Sequence, residues 1–409
     1  MMDHIQMNFE VVLLGIFVCI IVYSLLTKAI AKTVLTLPII FVVVGYAVST
    51  PIEMLAPPAV LSVGKRLLAE ITLVLVLFAD ASRIRFARLR ANFKIPLCML
   101  LIGLPLTVAL GTTVVYGFNP QSGLAMALLT AALLTPTDAA LGQPVVSSPD
   151  VPERLGQSIV VESGLNDGLV LPFVLLGAIL AAAGMNEAHT EGLATSAVTQ
   201  IVLGPLVGVV VGWALARSMD MAQDRDFMDD AAEGVVFLSA AFAAFVASEV
   251  VGGNGFIAAF VAGAVFGNTY RHDIHFISEF MEGAGQLLTM SAFLIFGALM
   301  LPDAVEHMTW SAVLIALLFL TVVRMLPIWL ALTGSGLDAR EKLFLGWFGP
   351  RGLASILFAL IMIDEFELPN EEELLACVSM TVSLSILLHG ITAAPLAKRI
   401  GRKSKNASN

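Results

Sequence analysis

Glu162-Ser163-Gly164-Leu165-Asn166-Asp167-Gly168 puts two carboxylates, a hydroxyl and an amide inside a stretch that is otherwise apolar from Ser158 to Ala183. On a helix, Glu162 and Asn166 stand four residues apart, as do Ser163 and Asp167, so the two pairs lie on neighbouring faces. An acidic side chain at mid-bilayer costs about 2.5 to 3.5 kcal/mol on insertion scales, so such residues face a partner or a water-filled cavity. One pair can brace the helix while the other meets a ligand. A carboxylate with a hydroxyl one turn away is oxygen chemistry suited to a hard cation. The competing reading is a buried polar knot that fixes helix packing, as polar side chains do between membrane helices.

The rest of the chain has the same character. It is 58% hydrophobic and 13% charged, with a mean hydropathy of +0.91. This composition implies an all-α polytopic membrane protein without a separate soluble domain and excludes a nucleic-acid-binding role. Windows of about 19 residues place candidate spans near 9–26, 33–49, 67–82, 95–116, 123–146, 158–183 and 195–216. Further spans follow near 231–250, 255–269, 285–301, 311–332, 344–363 and 374–396, about thirteen transmembrane helices in all. The first run lacks a basic start and a small-residue cleavage site, so it reads as a retained helix rather than a signal peptide. Residues 270–284, with Arg271, Asp273, Glu279 and Glu282, read as an inner loop.

The charges test this topology. With the N-terminus outside and the C-terminus in the cytoplasm, only Lys65 and Arg66 among the basic residues fall on outer loops. Arg324 and Arg351 fall within spans and the others on inner loops, as the positive-inside rule requires. The localisation that follows is the cell (inner) membrane, with residues 398–409 as a short basic cytoplasmic tail. Acidic residues crowd the outer loop from Asp364 to Glu373. Cys19, Cys98 and Cys377 lack metal or redox spacing and read as packing residues. His272 and His275 read as a solvated pair, and His389 as a hydrogen-bonded residue at the membrane interface.

Two spans carry breaks. Thr135-Pro136-Thr137-Asp138 interrupts the fifth: Pro136 cannot donate to the carbonyl of Ala132 and biases Thr135 away from helical geometry. Gly349-Pro350-Arg351-Gly352 interrupts the twelfth, with a cation at its centre. Freed carbonyls at membrane depth are tolerated where they are buried in protein or line a cavity. Each break falls in the fifth span of a group of six, and the two groups start on opposite sides of the membrane. That pattern reads as two inverted six-helix repeats, about 9–183 and 231–396, with a linker helix near 195–216 and two discontinuous helices crossing at the site. The whole chain, 1–409, then forms one transmembrane domain. Arg351 needs an anionic partner, and Glu162 is the leading choice. Arg324 is expected to form a structural ion pair with Asp80 or Glu249, because Arg is a better clamp than a ligand for a moving cation.

Glu162-Ser163-x-x-Asn166-Asp167, Pro136-Thr137-Asp138 and Gly349-Pro350-Arg351-Gly352, in that combination, resemble the monovalent cation:proton antiporters of the NhaP type, relatives of the eukaryotic sodium/proton exchangers. The similarity spans nearly the whole chain. It implies a transporter rather than an enzyme, without a cofactor, working as a homodimer. A mobile core domain would move in an elevator-like way against a dimerisation domain in membrane lipid. Asp167 would bind the cation or the proton, with Ser163 and the backbone of Thr137 as further ligands of the transported ion. Glu162, Asn166, Arg351 and Asp138 would brace and support the site. The sequence departs from the family's usual pattern in having Ala139, not Pro, after Asp138, and Ala79 between Phe78 and Asp80.

The mechanism this implies needs one group that cannot hold two ligands at once. Burial favours the neutral form of a carboxylate and a bound cation favours the charged form, so proton and cation compete. The Asn166-Asp167 pair is the pattern of electroneutral one-for-one exchange, with sodium or lithium as the expected cation. Potassium/proton exchange is the nearest alternative, since ligand identity alone separates these ions poorly. A sodium-coupled organic-anion symporter on the same fold, with Arg351 holding the anion, is a further alternative. An intramembrane aspartyl protease using Asp138 and Asp167 is a third, but the chain lacks the Gly-x-Gly-Asp pattern of such enzymes.

Overall fold

The computed structural model describes residues 2–30, 33, 35–50, 58–84, 94–146, 148–185, 190–272 and 275–407, and all regular structure among them is helical. In chain order, α1 is Met2–Ile30, α2 Leu37–Ala47 and α3 Pro58–Arg83. Then α4 is Lys94–Phe118, with a π-helical turn at Met99–Gly103. The first broken span is α5, Gly123–Leu133, followed by α6, Ala139–Val146. The helix carrying Glu162 to Asp167 is α7, Glu153–Met185. Next come α8 Thr190–Asp224, α9 Asp230–Val250 and α10 Gly255–Thr269. Helix α11, His275–Ile295, runs through a π-helical turn at Phe296–Met300 into α12, Leu301–Glu306. The chain ends with α13 Trp310–Leu320, α14 Val322–Ala331, α15 Ala339–Trp347, α16 Leu353–Glu365 and α17 Glu371–Ala407.

Every range expected to span holds a helix or a pair of half-helices. Among the described residues, eight helical stretches are long and apolar enough to cross a membrane, and Leu37–Ala47, Pro120–Leu133 and Gly255–Thr269 are shorter apolar ones. One expectation changes. The stretch read as an inner loop, 270–284, is helical from His275 onward, and Asp273 lies outside the described residues. Helix α17 continues through the basic segment from 398 to Ala407. Lys32, Arg85, Arg88 and Arg90, basic residues of the expected inner loops, lie outside the described residues.

Local chemistry sets several helix starts. Asp229 accepts from the Ala232 amide, Asn254 from Ile257 and Thr309 from Ala312. Asp338 and Glu341 form a capping box at α15, satisfying amide groups that the first turn leaves free.

The helices pack as two bundles. Around the broken helices, α7 and α4 flank α5, α17 packs on α13, α16 and α6, and α14 on α15. In the second bundle, α10 is the centre, covered by α3, α8 and α9, while α11 joins α2 and α3. Phe78, Phe237 and Phe266 from α3, α9 and α10 meet there with ring centroids 4.8 to 6.0 Å apart. Small residues allow these helices to approach closely. At Gly208 and Gly212 any Cβ would overlap the α10 backbone at Ala258 and Ala262. The bundles meet where α3 packs on α16 and α7, and α10 on α7. Gly168 lies at this boundary beside Asp167, with the Phe260 ring of α10 filling the space a side chain would need.

Candidate functional site

The first break runs from Leu134 to Asp138. Thr135 closes the last turn of α5 through its amide to Ala132 (3.2 Å) and its hydroxyl to the Ala131 carbonyl (2.7 Å). Pro136 then prevents helical continuation, which frees the carbonyls of Thr135 and Pro136. Both accept from Nη1 of Arg351, at 2.6 and 3.2 Å. A guanidinium thus sits at the carbonyl end of α5, the negative end of the helix dipole.

The second break, Phe348 to Gly352, faces the first directly. The amide of Asp138 donates to the carbonyl of Pro350 at 2.7 Å. The Asp138 carboxylate accepts from the amide of Leu353 at 2.8 Å and from that of Leu141 at 3.2 Å. One buried carboxylate therefore caps the amino ends of both α16 and α6, where the dipole favours a negative charge. Gly352 has no side chain because Asp138 occupies that space, with its Cβ and Cγ only 2.7 Å from where a Cβ would stand. These caps commit Asp138 to holding the crossing, which removes the geometry of a free aspartyl dyad with Asp167.

Beside the crossing, α7 supplies the polar cluster. Nδ2 of Asn166 donates to Oε1 of Glu162 at 3.0 Å and to the Thr137 hydroxyl at 3.3 Å. The Thr137 hydroxyl also lies 3.3 Å from Glu162 Oε2 and 3.3 Å from the Ser163 hydroxyl. The four-residue spacings of α7 thus bring Glu162, Ser163 and Asn166 onto Thr137 of the first break. Glu162, Ser163 and Asn166 are buried, and Asp167 is 8% exposed. Oδ1 of Asp167 and Oδ1 of Asn166 are buried oxygens with no hydrogen-bond partner among the described residues. Leaving a carboxylate oxygen so is costly. The carboxylates of Asp80, Asp138 and Glu162 lie within electrostatic reach of Asp167, and Asp80 faces α7 at Gly164, its Cβ 3.9 Å from the space above that glycine.

The ion pairs differ from the expected ones. Glu162 is paired with Arg324, not Arg351: Nη1 reaches Oε1 at 2.7 Å and Nη2 reaches Oε2 at 3.0 Å. This two-pronged bond satisfies the carboxylate and leaves Arg351 to the freed carbonyls. Arg324 accordingly pairs with neither Asp80 nor Glu249. Asp80 lies 4.0 Å from Arg83 on its own helix, and Glu249 accepts from the Gly255 amide at 2.7 Å, capping α10. Spacing along a helix finds partners one turn away, whereas Glu162 and Arg324 lie on different helices. The depth of Arg324 within its span was the available signal. His389 is hydrogen-bonded as expected, with Nε2 2.9 Å from the Trp347 carbonyl; it is 1% exposed, and its ring stacks on Trp347 with centroids 5.1 Å apart.

Two discontinuous helices thus cross beside α7, whose Asp167 keeps a buried oxygen without a partner among the described residues, and the helix ends at the crossing meet fixed charges from Arg351 and Asp138. The chain belongs to the family described as sodium/hydrogen exchanger, transmembrane, whose model matches residues 12–399. It is 26% identical over 337 residues to the K(+)/H(+) antiporter NhaP2 of Shewanella oneidensis, which covers 81% of this chain and 58% of that one. It is 23% identical over 339 residues to the K(+)/H(+) antiporter NhaP of Alkalimonas amylolytica, covering 81% and 57%. This chain therefore spans less than two thirds of the length of those relatives. The solved structure of the sodium proton antiporter MjNhaP1 of Methanocaldococcus jannaschii at pH 8 superposes with a TM-score of 0.78. It shares 19% identity and covers 97% of this chain and 99% of its own, so the two share a fold.

Proposed function

We propose that this protein exchanges a monovalent cation for protons across a membrane, with Asp167 as the group for which the two compete. The observation that carries the reading is the buried, unpartnered Oδ1 of Asp167, on the same helix as Asn166, whose Oδ1 is also unpartnered, and one turn from Ser163, whose hydroxyl lies 3.3 Å from that of Thr137. A dehydrated cation needs such oxygens, and a proton on the carboxylate removes the charge that holds it. Glu162 is neutralised by Arg324 and Asp138 by two helix ends, so neither carries the exchanged charge. With Asn166 in place of a second acid, the exchange is electroneutral, one cation for one proton. Sodium or lithium is the proposed cation. Potassium is the second reading, favoured by the NhaP2 relatives, which are named K(+)/H(+) antiporters.

The repeats about 9–183 and 231–396, with the linker near 195–216, would carry the two broken helices past each other. The bundle around the crossing would slide against the α10 bundle in a homodimer. The proposed setting is the cell membrane with the C-terminus in the cytoplasm. The test is reconstitution into vesicles with an imposed pH gradient, adding sodium, lithium, potassium or choline to wild type and Asp167→Asn. Wild type should dissipate the gradient with one or more of the metal cations and the variant with none. Equal activity in the two proteins refutes the assignment of Asp167, and exchange rates that follow an imposed membrane potential refute electroneutrality.

A further inference from the structure

At the second break the helical ladder stops, the Trp347 carbonyl keeping only a tight local bond from the Gly349 amide at 2.8 Å, and side chains of α17 supply further partners. The carbonyl of Trp347, at the end of α15, can only accept, and Nε2 of His389 lies 2.9 Å from it, so Nε2 carries the hydrogen. On the far side of the break, the backbone amide of Arg351 can only donate, and it reaches the Ser385 hydroxyl at 2.7 Å. His389 and Ser385 are in contact one turn apart on α17: Nδ1 lies 3.2 Å from the Ser385 hydroxyl and 2.9 Å from its carbonyl oxygen. One turn further along, the Thr392 hydroxyl accepts from the Trp347 indole at 3.0 Å. Ser385 and His389 are buried at 0% and 1% exposure.

We propose that His389 and Ser385 are positioning residues for the ion site, a brace that spans residues 347 to 351 and holds the second break open at a set width. The inference rests on the antiport reading for its functional consequence. Between Trp347 and Arg351 lies Pro350, whose carbonyl accepts from the Asp138 amide. Arg351 in turn holds the carbonyls of Thr135 and Pro136, which border Thr137. A shift of the break therefore passes through two hydrogen-bonded steps to the oxygens beside Asp167. Neither His389 nor Ser385 touches the ion; they set where its ligands stand. Histidine suits the position because its rigid ring bears two polar atoms on opposite edges, one for each end of the gap.

The test compares Ser385→Ala, His389→Leu and His389→Gln in the full-length protein by two measurements. The first is amide hydrogen exchange of the segment 347–353 in detergent. The second is the KM and maximal rate of sodium-driven and potassium-driven proton flux in vesicles. Loss of one buried hydrogen bond should speed exchange of the segment about tenfold in Ser385→Ala and His389→Leu, and raise the KM for the cation by a similar factor of about ten. His389→Gln, whose amide N–H can reach the Trp347 carbonyl, should stay near wild type in both. Ser385→Ala removes a single oxygen and so reports on the brace even where His389→Leu does not fold. Unchanged hydrogen exchange in Ser385→Ala overturns the brace. Faster exchange with an unchanged KM overturns the positioning role, as does a Gln variant as impaired as Leu. A wild type that moves neither cation removes the antiport reading, and the exchange rates still decide whether the brace exists.

Discussion

Arg324→Ala should be among the most destabilising single substitutions in this protein. The two partners are 2% and 1% exposed, and the guanidinium gives the carboxylate two hydrogen bonds, at 2.7 and 3.0 Å. Without it, Glu162 keeps Asn166 Nδ2 at 3.0 Å and the Thr137 hydroxyl at 3.3 Å, neither of which carries a charge. Removing one member of a buried pair typically costs about 3 to 5 kcal/mol, because the other charge is left in a medium that solvates it poorly. Glu162→Leu should cost a similar amount, since Nε of Arg324 is already buried without a partner among the described residues. Combining Glu162→Leu with Arg324→Leu removes both charges and should recover most of the loss, because an apolar pair of similar volume is often no less stable than the ions it replaces. Arg324→Lys should fall between, keeping the charge and losing the fork. The assay is a double-mutant cycle on thermal unfolding in detergent, followed by the fraction of monodisperse protein after heating, with proton flux measured in parallel. Single variants within about 1 kcal/mol of wild type, or a double variant as damaged as the sum of the singles, would refute the buried-pair argument. Stable single variants that have lost flux would make Glu162 a ligand of the ion instead of a brace.

Other substitutions probe the crossing and the bundle boundary. Gly352→Ala forces a Cβ into the Asp138 carboxylate and should cost more than about 2 kcal/mol; normal thermal stability with normal flux would contradict the packing described. Asp138→Ala strips the acceptor from the Leu141 and Leu353 amides and should cost about 2 kcal/mol as the loss of two helix caps, with faster amide exchange at the start of α16 as the readout. Arg66 joins Glu70 on its own helix to Asp364 of α16, but its side chain is 52% exposed. Arg66→Ala should therefore change stability by less than about 1 kcal/mol, and a larger drop in the melting midpoint would show that the pair holds the two bundles together.

The sequence carried the membrane class, the helical ranges and the positions of both breaks, because each depends on local chemistry. Apolar runs make spans wherever they occur, and proline removes a hydrogen bond from its own helix whatever surrounds it. The four-residue spacings on α7 likewise brought Glu162 to Asn166 before any fold was known. The choice of partners was a different problem. Glu162 had two arginines within reach of a sequence argument, and only the packing of α14 against the broken helices puts Arg324 on it and Arg351 on the carbonyls of Thr135 and Pro136. Sequence order names which charges lie at membrane depth, but a buried charge pairs with whatever the tertiary structure brings within about 3 Å.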